Sequence, residues 1–599
     1  MKLKLSFVAL SLMIVCGAIL GYQARGQRGA APAAAADPSI KIENNVLVPM
    51  RDGVRLAADI YRPAADGKYP VLLCRTPYNK NGQADFAKFL VQNGYAVVVM
   101  DSRGLYASQG DWHPYTDEGQ DGYDTQQWVG QQPWSNGKVG MFGRSYPGFT
   151  QLLPAPYRSP YVKAVMPEAA QSSNFDAIWS WNGIYHLSLA LSWGPRQEAL
   201  ATEKPTPDPS WVKVMNHLPL KNSMEVIGIY SKFVADTITH DKYDDFWKAM
   251  SIQEKYGDMD VPAFHLTGWY DDLTHETIAN FVNMRKLSKS ENARRWQKLL
   301  IGPWGHGVRT DPKYGDMDFG PQMLTDLRQL HLHWYDYHLK GVQNGLDKEA
   351  PIKIFVMGEN VWREEQDWPL ARARSTKFYL HSGGTANTRM GDGRLSDTAP
   401  AEEPADKYAY DPRFPAPTYG GHGSGGGGIT RDSAFSIHGP MDQRAVQQRP
   451  DVLVYSTDEL PADTEVTGPI ELNLFFSTNV TDTDFFATLS DVYPDGRAIL
   501  ITEGALRTRY RESNRETKLL TPNQAYEVKI PLWETSNVFK KGHRIRIHIT
   551  SSNFPRFNRN LNSGKPMAEE TEADIKVANQ TILHDSKHPS SLVLPVIPR

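Results

Sequence analysis

The sequence GRSYPG at residues 143–148 decides the fold, and it follows the strand-like run VGMF at residues 139–142. It places Ser145 among small residues, as in a nucleophile elbow, a sharp turn from a strand into a helix that exposes a serine hydroxyl. Glycine tolerates the positive φ and close contacts of so tight a turn. The usual motif has a glycine two positions after the serine, but here Pro147 stands there and Gly148 follows it. Taken alone, the motif leaves a surface turn as the alternative.

An elbow serine needs a histidine to remove its proton and a carboxylate to orient that histidine. Candidates lie downstream in the order Ser, Asp, His: Asp271 follows the apolar run at residues 261–267, and His306 follows the run at residues 298–301. Both follow predicted strands, where open α/β sheets place their sites. Asp272 is the rival for Asp271. Because adjacent side chains of an extended segment point in opposite directions, we expect only one of the two to face His306.

These positions and their flanks resemble the cocaine esterase, α-amino acid ester hydrolase and X-Pro dipeptidyl-peptidase (CocE/NonD) family of serine hydrolases. The segments DSRG at residues 101–104, SQG at residues 108–110 and QPWSNGKVGM at residues 132–141 are also similar to that family. The resemblance runs from about residue 46 to the C-terminus and so covers nearly all of the chain.

The resemblance implies a role for each candidate residue. Ser145 would be the nucleophile, His306 the general base and then acid, and Asp271 the orienting carboxylate. The hydroxyl of Tyr78 and the backbone N–H of Tyr146 would form the oxyanion hole. The implied reaction is hydrolysis of an ester or a simple amide through an acyl-enzyme, with no metal or organic cofactor.

Short apolar runs alternate with helical stretches, a pattern typical of a mainly parallel sheet with helices on both faces. We therefore predict an α/β fold: an α/β-hydrolase core with an inserted helical cap, followed by an all-β domain that resembles the jelly-roll domain of the same family. The predicted units are a signal peptide and Ala/Pro-rich linker at residues 1–36, core segments at 40–171 and 260–370, the cap at 172–259 and the β-sandwich at 371–599.

The predicted β-sandwich contains the stretch GGHGSGGGG at residues 420–428, which we interpret as a flexible loop too rich in glycine to pack. We expect this domain to have a structural role, walling one side of the active site. A carbohydrate-directed esterase is the alternative, because such domains resemble carbohydrate-binding modules.

The N-terminus has the pattern of a targeting segment. Residues 1–4 are basic, residues 5–20 form an almost unbroken apolar run, and small residues at 33–35 offer a cleavage site. The sequence predicts a periplasmic or secreted protein; an uncleaved anchor, the one case in which it would contact a membrane, is the alternative. After cleavage only Cys74 would remain, so no internal disulfide is expected.

Composition limits the partners. The chain has 599 residues and a formal net charge of −3, so no positive field would attract nucleic acid. We expect a small-molecule ester or amide substrate and leave homo-oligomerisation open. His331, His333 and His338 contain no i, i+4 pair that could chelate a metal from one helix face.

Aromatic residues are the candidates for the substrate pocket, because ligand sites are mostly apolar. Trp179, Trp181, Tyr185 and Trp193 lie in the predicted cap, and Trp269 lies beside Asp271. Ordinary packing is the alternative for each of them.

The charge of the substrate is harder to predict. The α-amino acid ester hydrolases hold an ammonium group with carboxylates, two of them just past the catalytic Asp; here Leu273 and Thr274 stand there, and residues 178–182 contain no acid. A desolvated amine without a partner is costly, so we favour a neutral or acidic acyl group. Asp176 or Glu168 could still supply an anion, which keeps X-Pro dipeptidyl-peptidase or α-amino acid ester hydrolase activity as alternatives. An inactive or carbohydrate-binding protein is the alternative of another class.

Overall fold

The computed structural model describes residues 37–201, 211–423 and 438–599. The predicted signal peptide at residues 1–36 lies outside the described residues. Of the helices in the described ranges, none has the length and the apolar content needed to cross a bilayer.

The first part of the chain forms a ten-stranded sheet and one separate hairpin, β9–β10. In chain order the strands are β1 (Ile40–Pro49), β2 (Arg55–Pro63), β3 (Tyr69–Thr76), β4 (Ala96–Asp101), β5 (Ser135–Arg144), β6 (Val162–Glu168), β7 (Ala263–Gly268), β8 (Gln297–Gly302), β9 (Lys313–Tyr314), β10 (Met317–Asp318), β11 (Ile352–Val356) and β12 (Val361–Glu365). The sheet order is β1-β2-β4-β3-β5-β6-β7-β8-β11-β12. From β4 to β11 in this order neighbours pair in parallel, while β1, β2 and β12 are antiparallel additions at the two edges.

Both faces of this sheet are covered, as parallel sheets require. Strand β3 illustrates this. Leu72 and Cys74 pack into one hydrophobic cluster, and the alternating Val71 and Leu73 pack into the other. A strand with apolar side chains on both faces reads as a continuous apolar run, which is how the sequence predicted it.

Helices lie on both faces and in a long insertion between β6 and β7. In chain order they are α1 (Ala84–Gln92), α2 (Glu118–Gly130), α3 (Tyr146–Leu152), α4 (Asn174–Ile178), α5 (Ser180–Gly183), α6 (Leu187–Ala201), α7 (Trp211–Asn216), α8 (Lys232–Thr239), α9 (Asp245–Ala249), α10 (Thr274–Leu287), α11 (Glu291–Arg295) and α12 (Leu327–Tyr335). Helices α4 to α9 and a 3-10 segment, Leu220–Ile227, form the cap. The cap packs into the same hydrophobic cluster as Val71 and Leu73.

The C-terminal part is an all-β domain with an eleven-stranded sheet. Its strands are β13 (Arg374–His381), β14 (Arg394–Ser396), β15 (Asp406–Tyr410), β16 (Leu453–Ser456), β17 (Thr464–Thr478), β18 (Asp484–Val492), β19 (Ala498–Arg507), β20 (Tyr526–Phe539), β21 (Arg544–Thr550), β22 (Ala578–Leu583) and β23 (Ser591–Ile597). One hydrophobic cluster joins the interior of this domain to the other face of the core sheet. The predicted fold class is therefore confirmed.

The glycine-rich stretch differs from the sequence-based expectation. Its described part, residues 420–423, is buried rather than loose. Gly421 exchanges backbone hydrogen bonds of 2.9 and 2.8 Å with Gly439, and the Gly423 N–H donates to the carbonyl of Tyr270 at 3.0 Å. Glycine allows this packing because the backbone can approach its neighbours closely. Residues 424–428 of the same stretch lie outside the described residues.

The turn between β5 and α3 depends on a close contact between helix and strand. A Cβ on Gly148 would lie 2.6 Å from the backbone oxygen of Glu168, at the end of β6. The glycine at residue 148 therefore meets the spatial requirement of the elbow, although it stands one position later than in the usual motif.

We predict that Gly148→Ala lowers the free energy of unfolding by about 1–3 kcal/mol, because the added methyl group forces α3 away from β6. Gly82→Ala is the matched control, since a Cβ at that exposed position has no heavy atom within 4 Å; a change within about 0.5 kcal/mol is expected there. Urea denaturation of both variants measures the difference. Equal stability of the two variants would contradict the packing argument.

Candidate active site

Ser145 occupies a strained position between β5 and α3. Its backbone has φ 66° and ψ −125°, in a region that non-glycine residues rarely adopt and that costs about 1–3 kcal/mol. Hydrogen bonds hold this conformation: the Ser145 N–H donates to the carbonyl of Glu168 at 2.9 Å, and its own carbonyl accepts from the N–H groups of Gly148 and Phe149 at 2.8 and 3.0 Å. The serine predicted as nucleophile therefore lies in an elbow and lines a cavity.

His306 lines the same cavity and contacts Asp271. The distance from His306 Nδ1 to Asp271 Oδ1 is 3.1 Å, and the Asp271 side chain is fully buried. Because this contact uses Nδ1, the other ring nitrogen of His306, Nε2, is available for other contacts. Asp271 follows β7 and His306 follows β8, so the two adjacent parallel strands deliver both groups to the same edge of the sheet.

Asp272 also faces His306, which corrects the sequence-based expectation that only one of the two carboxylates could. Its Oδ1 lies 3.7 Å from His306 Nδ1. The expectation assumed an extended backbone, but the chain turns here: the Asp271 N–H donates to the carbonyl of Gly268 at 3.0 Å. In a turn, adjacent side chains are not held on opposite sides. Asp271 is still the nearer carboxylate.

The pKa values of this pair shift in opposite directions. Burial disfavours the charged imidazole, but Asp271, with a smaller contribution from Asp272, outweighs burial and raises the pKa of His306 above its ordinary value. Burial likewise opposes the ionised Asp271, but its contacts with His306 outweigh burial and lower the pKa of Asp271. The arrangement therefore stabilises a protonated histidine beside an ionised aspartate.

Tyr78 and Ser145 line the same cavity, and the Ser145 side chain acts to lower the pKa of Tyr78. The indole Nε1–H of Trp193 donates to the Tyr78 hydroxyl oxygen at 3.1 Å. Because an indole can only donate, the tyrosine must accept this bond and keeps its own proton for another acceptor. Desolvation raises the pKa of Tyr78, although 40% of the residue is exposed, so the phenol stays protonated at neutral pH.

Tyr146 begins α3, where the first N–H groups of a helix have no intrahelical acceptor. Its side chain is buried: the hydroxyl donates to Glu118 Oε1 at 2.9 Å and accepts from the Tyr115 N–H at 2.9 Å. The rings of Tyr115, Tyr146 and Trp193 stack on one another, with centroids 4.3 to 6.0 Å apart. This stack fixes both the start of the helix and the indole that contacts Tyr78.

The cavity has a volume of about 880 Å³ and draws its walls from all three parts of the chain. The core contributes Ser145 and His306, the cap contributes residues of α6, and the β-domain contributes Gly423 and His438. A cavity of this size accommodates a small organic substrate.

Comparison with known proteins agrees with this architecture. Residues 52–308 match the family model of the X-Pro dipeptidyl-peptidase (S15 family), and residues 344–593 match the X-Pro dipeptidyl-peptidase C-terminal non-catalytic domain. Cocaine esterase of Rhodococcus sp. strain MB1 Bresler is 38% identical over 590 residues, which cover 94% of this chain and 100% of that protein. The chain belongs to the cocaine esterase and X-Pro dipeptidyl-peptidase (S15) family.

Solved structures show the same fold. An α-amino acid ester hydrolase has a TM-score of 0.79 at 26% identity, covering 95% of this chain and 99% of that one. An aminopeptidase from a marine sediment Thaumarchaeota archaeon has a TM-score of 0.82 at 24% identity, covering 96% and 100%. The resemblance inferred from the sequence is thus confirmed, and this S15-family protein is a serine hydrolase.

Three of the aromatic residues predicted for the substrate pocket lie elsewhere. Trp179 is buried and donates to the carbonyl of Thr237 at 2.7 Å, and the Tyr185 hydroxyl lies 2.8 Å from Thr237 Oγ1. Trp269 is buried and donates to the carbonyl of Phe355 at 2.7 Å. Their polar atoms thus bond within the protein interior, and the three side chains pack the cores of the cap and sheet instead of lining the cavity. The side chain of Trp181 lies outside the described residues.

Trp193 is the aromatic cap residue that does line the cavity. The sequence offered it as one of several candidates, but its distinguishing contact with Tyr78 joins residues 115 positions apart. A single sequence carries no signal for such a contact.

Asp176 and Glu168, the two acids that could bind the amine of a substrate, line different cavities. Asp176 lines a second cavity of about 400 Å³ together with Glu276 and His275, and it does not line the one that contains Ser145. Glu168 lines the Ser145 cavity; burial raises its pKa to about 7 against the opposing effects of Arg144 and His306.

Metal-ligating side chains converge at one place in the described ranges, where ligand atoms of three residues lie within 4.8 Å of one another: Asp271, Asp272 and His306. Asp271 and His306 are the predicted acid–base pair, and Asp272 lies beside them. The histidines of residues 331–338 have other contacts: His331 Nδ1 lies 2.8 Å from the carbonyl of Leu327, and His333 Nε2 lies 2.7 Å from Glu349.

The unequal distances of the two aspartates predict unequal effects. Asp271→Asn should lower kcat about 10⁴-fold, because the amide no longer orients and stabilises the imidazolium. Asp272→Asn should lower kcat less than about tenfold, since the 3.7 Å contact supplies charge rather than orientation.

The pH profile of kcat/KM provides a second readout of these variants. A general base must be neutral, so kcat/KM should rise with pH as His306 loses its proton. Removing the negative charge of Asp272 lowers the pKa of His306, and the rising limb should move to lower pH. A loss of kcat in Asp272→Asn as large as that in Asp271→Asn would contradict the assignment of the orienting role to Asp271.

Proposed function

We propose that this S15-family protein is an exported esterase that cleaves acyl esters, and simple amides more slowly, through a Ser145–His306–Asp271 triad and an acyl-enzyme. The observation that carries the proposal is the strained Ser145 elbow, which lines one cavity together with Tyr78 and with a histidine that contacts a buried aspartate. The 38% identity to cocaine esterase supports an ester as substrate.

The proposed reaction begins when His306 removes the proton of Ser145 and the serine oxygen attacks the substrate carbonyl. The negative oxygen that develops accepts hydrogen bonds from the Tyr78 hydroxyl and the Tyr146 N–H. His306 then gives its proton to the departing alcohol, leaving the acyl group on Ser145. Water, activated by the same histidine, releases the acid and restores the serine.

Trp193 supports this use of Tyr78. Its indole donates to the phenol oxygen at 3.1 Å, which directs the phenol proton away from Trp193. A tyrosine oriented in this way does not need to reorganise when the oxyanion forms. Preorganised donors of this type are worth about 3 kcal/mol each in the transition state.

The choice of esters over amine-bearing peptides rests on the position of the acids. Asp176 and Glu276 line the second cavity, and Leu273, which has no charge, lines the Ser145 cavity. Glu168 is the feature that favours the second candidate, an X-Pro dipeptidyl-peptidase, because a carboxylate lining the cavity could hold an N-terminal amine.

The proposal of export rests on residues 1–36, whose basic start, apolar run and small residues are typical of a signal peptide. We propose cleavage near residues 33–35 and a periplasmic or secreted protein. The mass of the mature protein tests this directly, since an uncleaved chain would retain the full N-terminus.

The test of the reaction compares 4-nitrophenyl butyrate with Ala-Pro-4-nitroanilide. We expect rapid release of nitrophenol, little release of nitroaniline, and no turnover of either by Ser145→Ala. Tyr78→Phe should lower kcat by about 10²–10³-fold while the protein stays folded, because it removes one oxyanion donor. Ester hydrolysis that persists in Ser145→Ala would refute the proposal, and efficient nitroaniline release would favour the dipeptidyl-peptidase instead.

A further inference from the structure

Three arginines line the cavity that contains Ser145: Arg144, Arg196 and Arg328. All three are exposed, and none forms an ion pair with a carboxylate of the described residues. Most other arginines of the core are paired; Arg103, for example, contacts Asp121 at 2.6 Å and Asp52 at 2.8 Å. Arg144 is close enough to Glu168 to lower the pKa of that carboxyl, and the Arg328 guanidinium lies over the Phe89 ring, 5.0 Å from its centroid. Three cationic side chains around one cavity suit an anionic ligand.

The remaining titratable groups of the cavity do not balance this charge. Burial lowers the pKa of His186 to about 3 and of His331 and His438 to about 4, so these histidines are neutral at pH 7. Burial raises the pKa of Glu168 to about 7, which leaves it only partly ionised at that pH. Asp272 is placed beside His306, 3.7 Å from its ring nitrogen. The cavity therefore has an excess of positive charge.

The positions of Arg144 and Arg196 differ with respect to the reacting groups. Arg144 precedes Ser145, and its guanidinium packs against Gly307, where a Cβ would overlap with Nη1. It therefore lies beside His306, which hands its proton to the leaving group. Arg196 is on α6, three residues after Trp193, so the two side chains share one face of the helix.

The helix that carries Arg196 also contributes apolar side chains to the cavity. Leu189 and Leu200 lie seven positions before and four after Arg196, on the same face of α6, and both line the cavity, as do Trp193, Met215 and the polar Ser192. An aliphatic acyl chain would pack against these side chains, and a charged group at its far end would meet the guanidinium.

We propose that the preferred substrates are esters whose acyl chain ends in an anionic group, a carboxylate in the simplest case, and that Arg196 binds this group. The inference rests on the proposed function. A guanidinium forms two parallel hydrogen bonds with a carboxylate, which gives orientation as well as attraction. Arg144 and Arg328 add to the positive potential that attracts such a substrate.

Matched esters test the inference on the full-length protein. Mono-4-nitrophenyl adipate and 4-nitrophenyl hexanoate differ by a carboxylate on the acyl chain. The pair 4-carboxyphenyl hexanoate and phenyl hexanoate differs by a carboxylate on the leaving group. Each pair is measured as a ratio of kcat/KM, corrected for hydrolysis without enzyme, in the wild type, in Arg196→Met and in the control Arg374→Met, which removes an exposed arginine of the β-domain.

The wild type should prefer adipate over hexanoate by about tenfold or more, a difference of about 1.4 kcal/mol. Arg196→Met should bring this ratio close to one, whereas Arg374→Met should leave it unchanged. The preference should also decrease with added salt, since exposed charges are screened. In Arg196→Glu the preference should reverse toward the cationic 4-nitrophenyl 6-aminohexanoate, a change that loss of folding cannot produce.

A wild-type ratio near one, or a ratio that Arg196→Met does not change, would overturn the inference. A preference confined to the carboxylated leaving group would overturn the assignment of the anion to the acyl chain. Failure of the proposed function would look different: hexanoate would not be hydrolysed, or its hydrolysis would persist in Ser145→Ala.

Discussion

The site depends on the strained backbone of Ser145, because every other group of the site is positioned relative to it. The conformation costs free energy, and the surrounding packing maintains it. Gly148 allows α3 to lie directly against the end of β6, and the Ser145 N–H is bonded to the Glu168 carbonyl on the same strand. Ser145 therefore stays at the junction of β5 and α3, where it lines the cavity.

The other groups reach Ser145 from three separate parts of the chain. Adjacent parallel strands supply Asp271 and His306, the cap supplies Trp193, and the β-domain closes the wall with Gly423 and His438. The β-domain also contacts Tyr270, the residue before Asp271. The Gly423 N–H donates to the carbonyl of Tyr270, and the Tyr270 hydroxyl donates to the carbonyl of Leu500 at 3.2 Å. A structural role for this domain follows from these contacts.

Much of the fold could be predicted from the sequence, because buried parallel strands are short apolar runs and the motif residues follow them directly. The side-chain environment could not. Trp179, Tyr185 and Trp193 are all aromatic residues of one segment, and only tertiary packing separates the two core residues from the one that contacts Tyr78. The glycines at 420–423 showed the same limit, since glycine permits both a loose loop and the close packing observed.

The two aspartates show a further limit. Sequence reasoning assumed an extended backbone at residues 271 and 272, and a single turn brought both carboxylates to His306. The sequence also could not predict that Asp176 lies outside the Ser145 cavity, because its position depends on how the cap packs. Local patterns identify which residues carry chemistry, whereas the direction of each side chain is set by contacts distant in sequence.

The most direct test of the account is the site of covalent labelling by a fluorophosphonate, mapped by mass spectrometry of the digested protein. Such a reagent forms a stable bond with an activated serine. The account predicts one label per chain, on Ser145, and much slower labelling in His306→Ala. A label on another residue, or equally rapid labelling without His306, would contradict it.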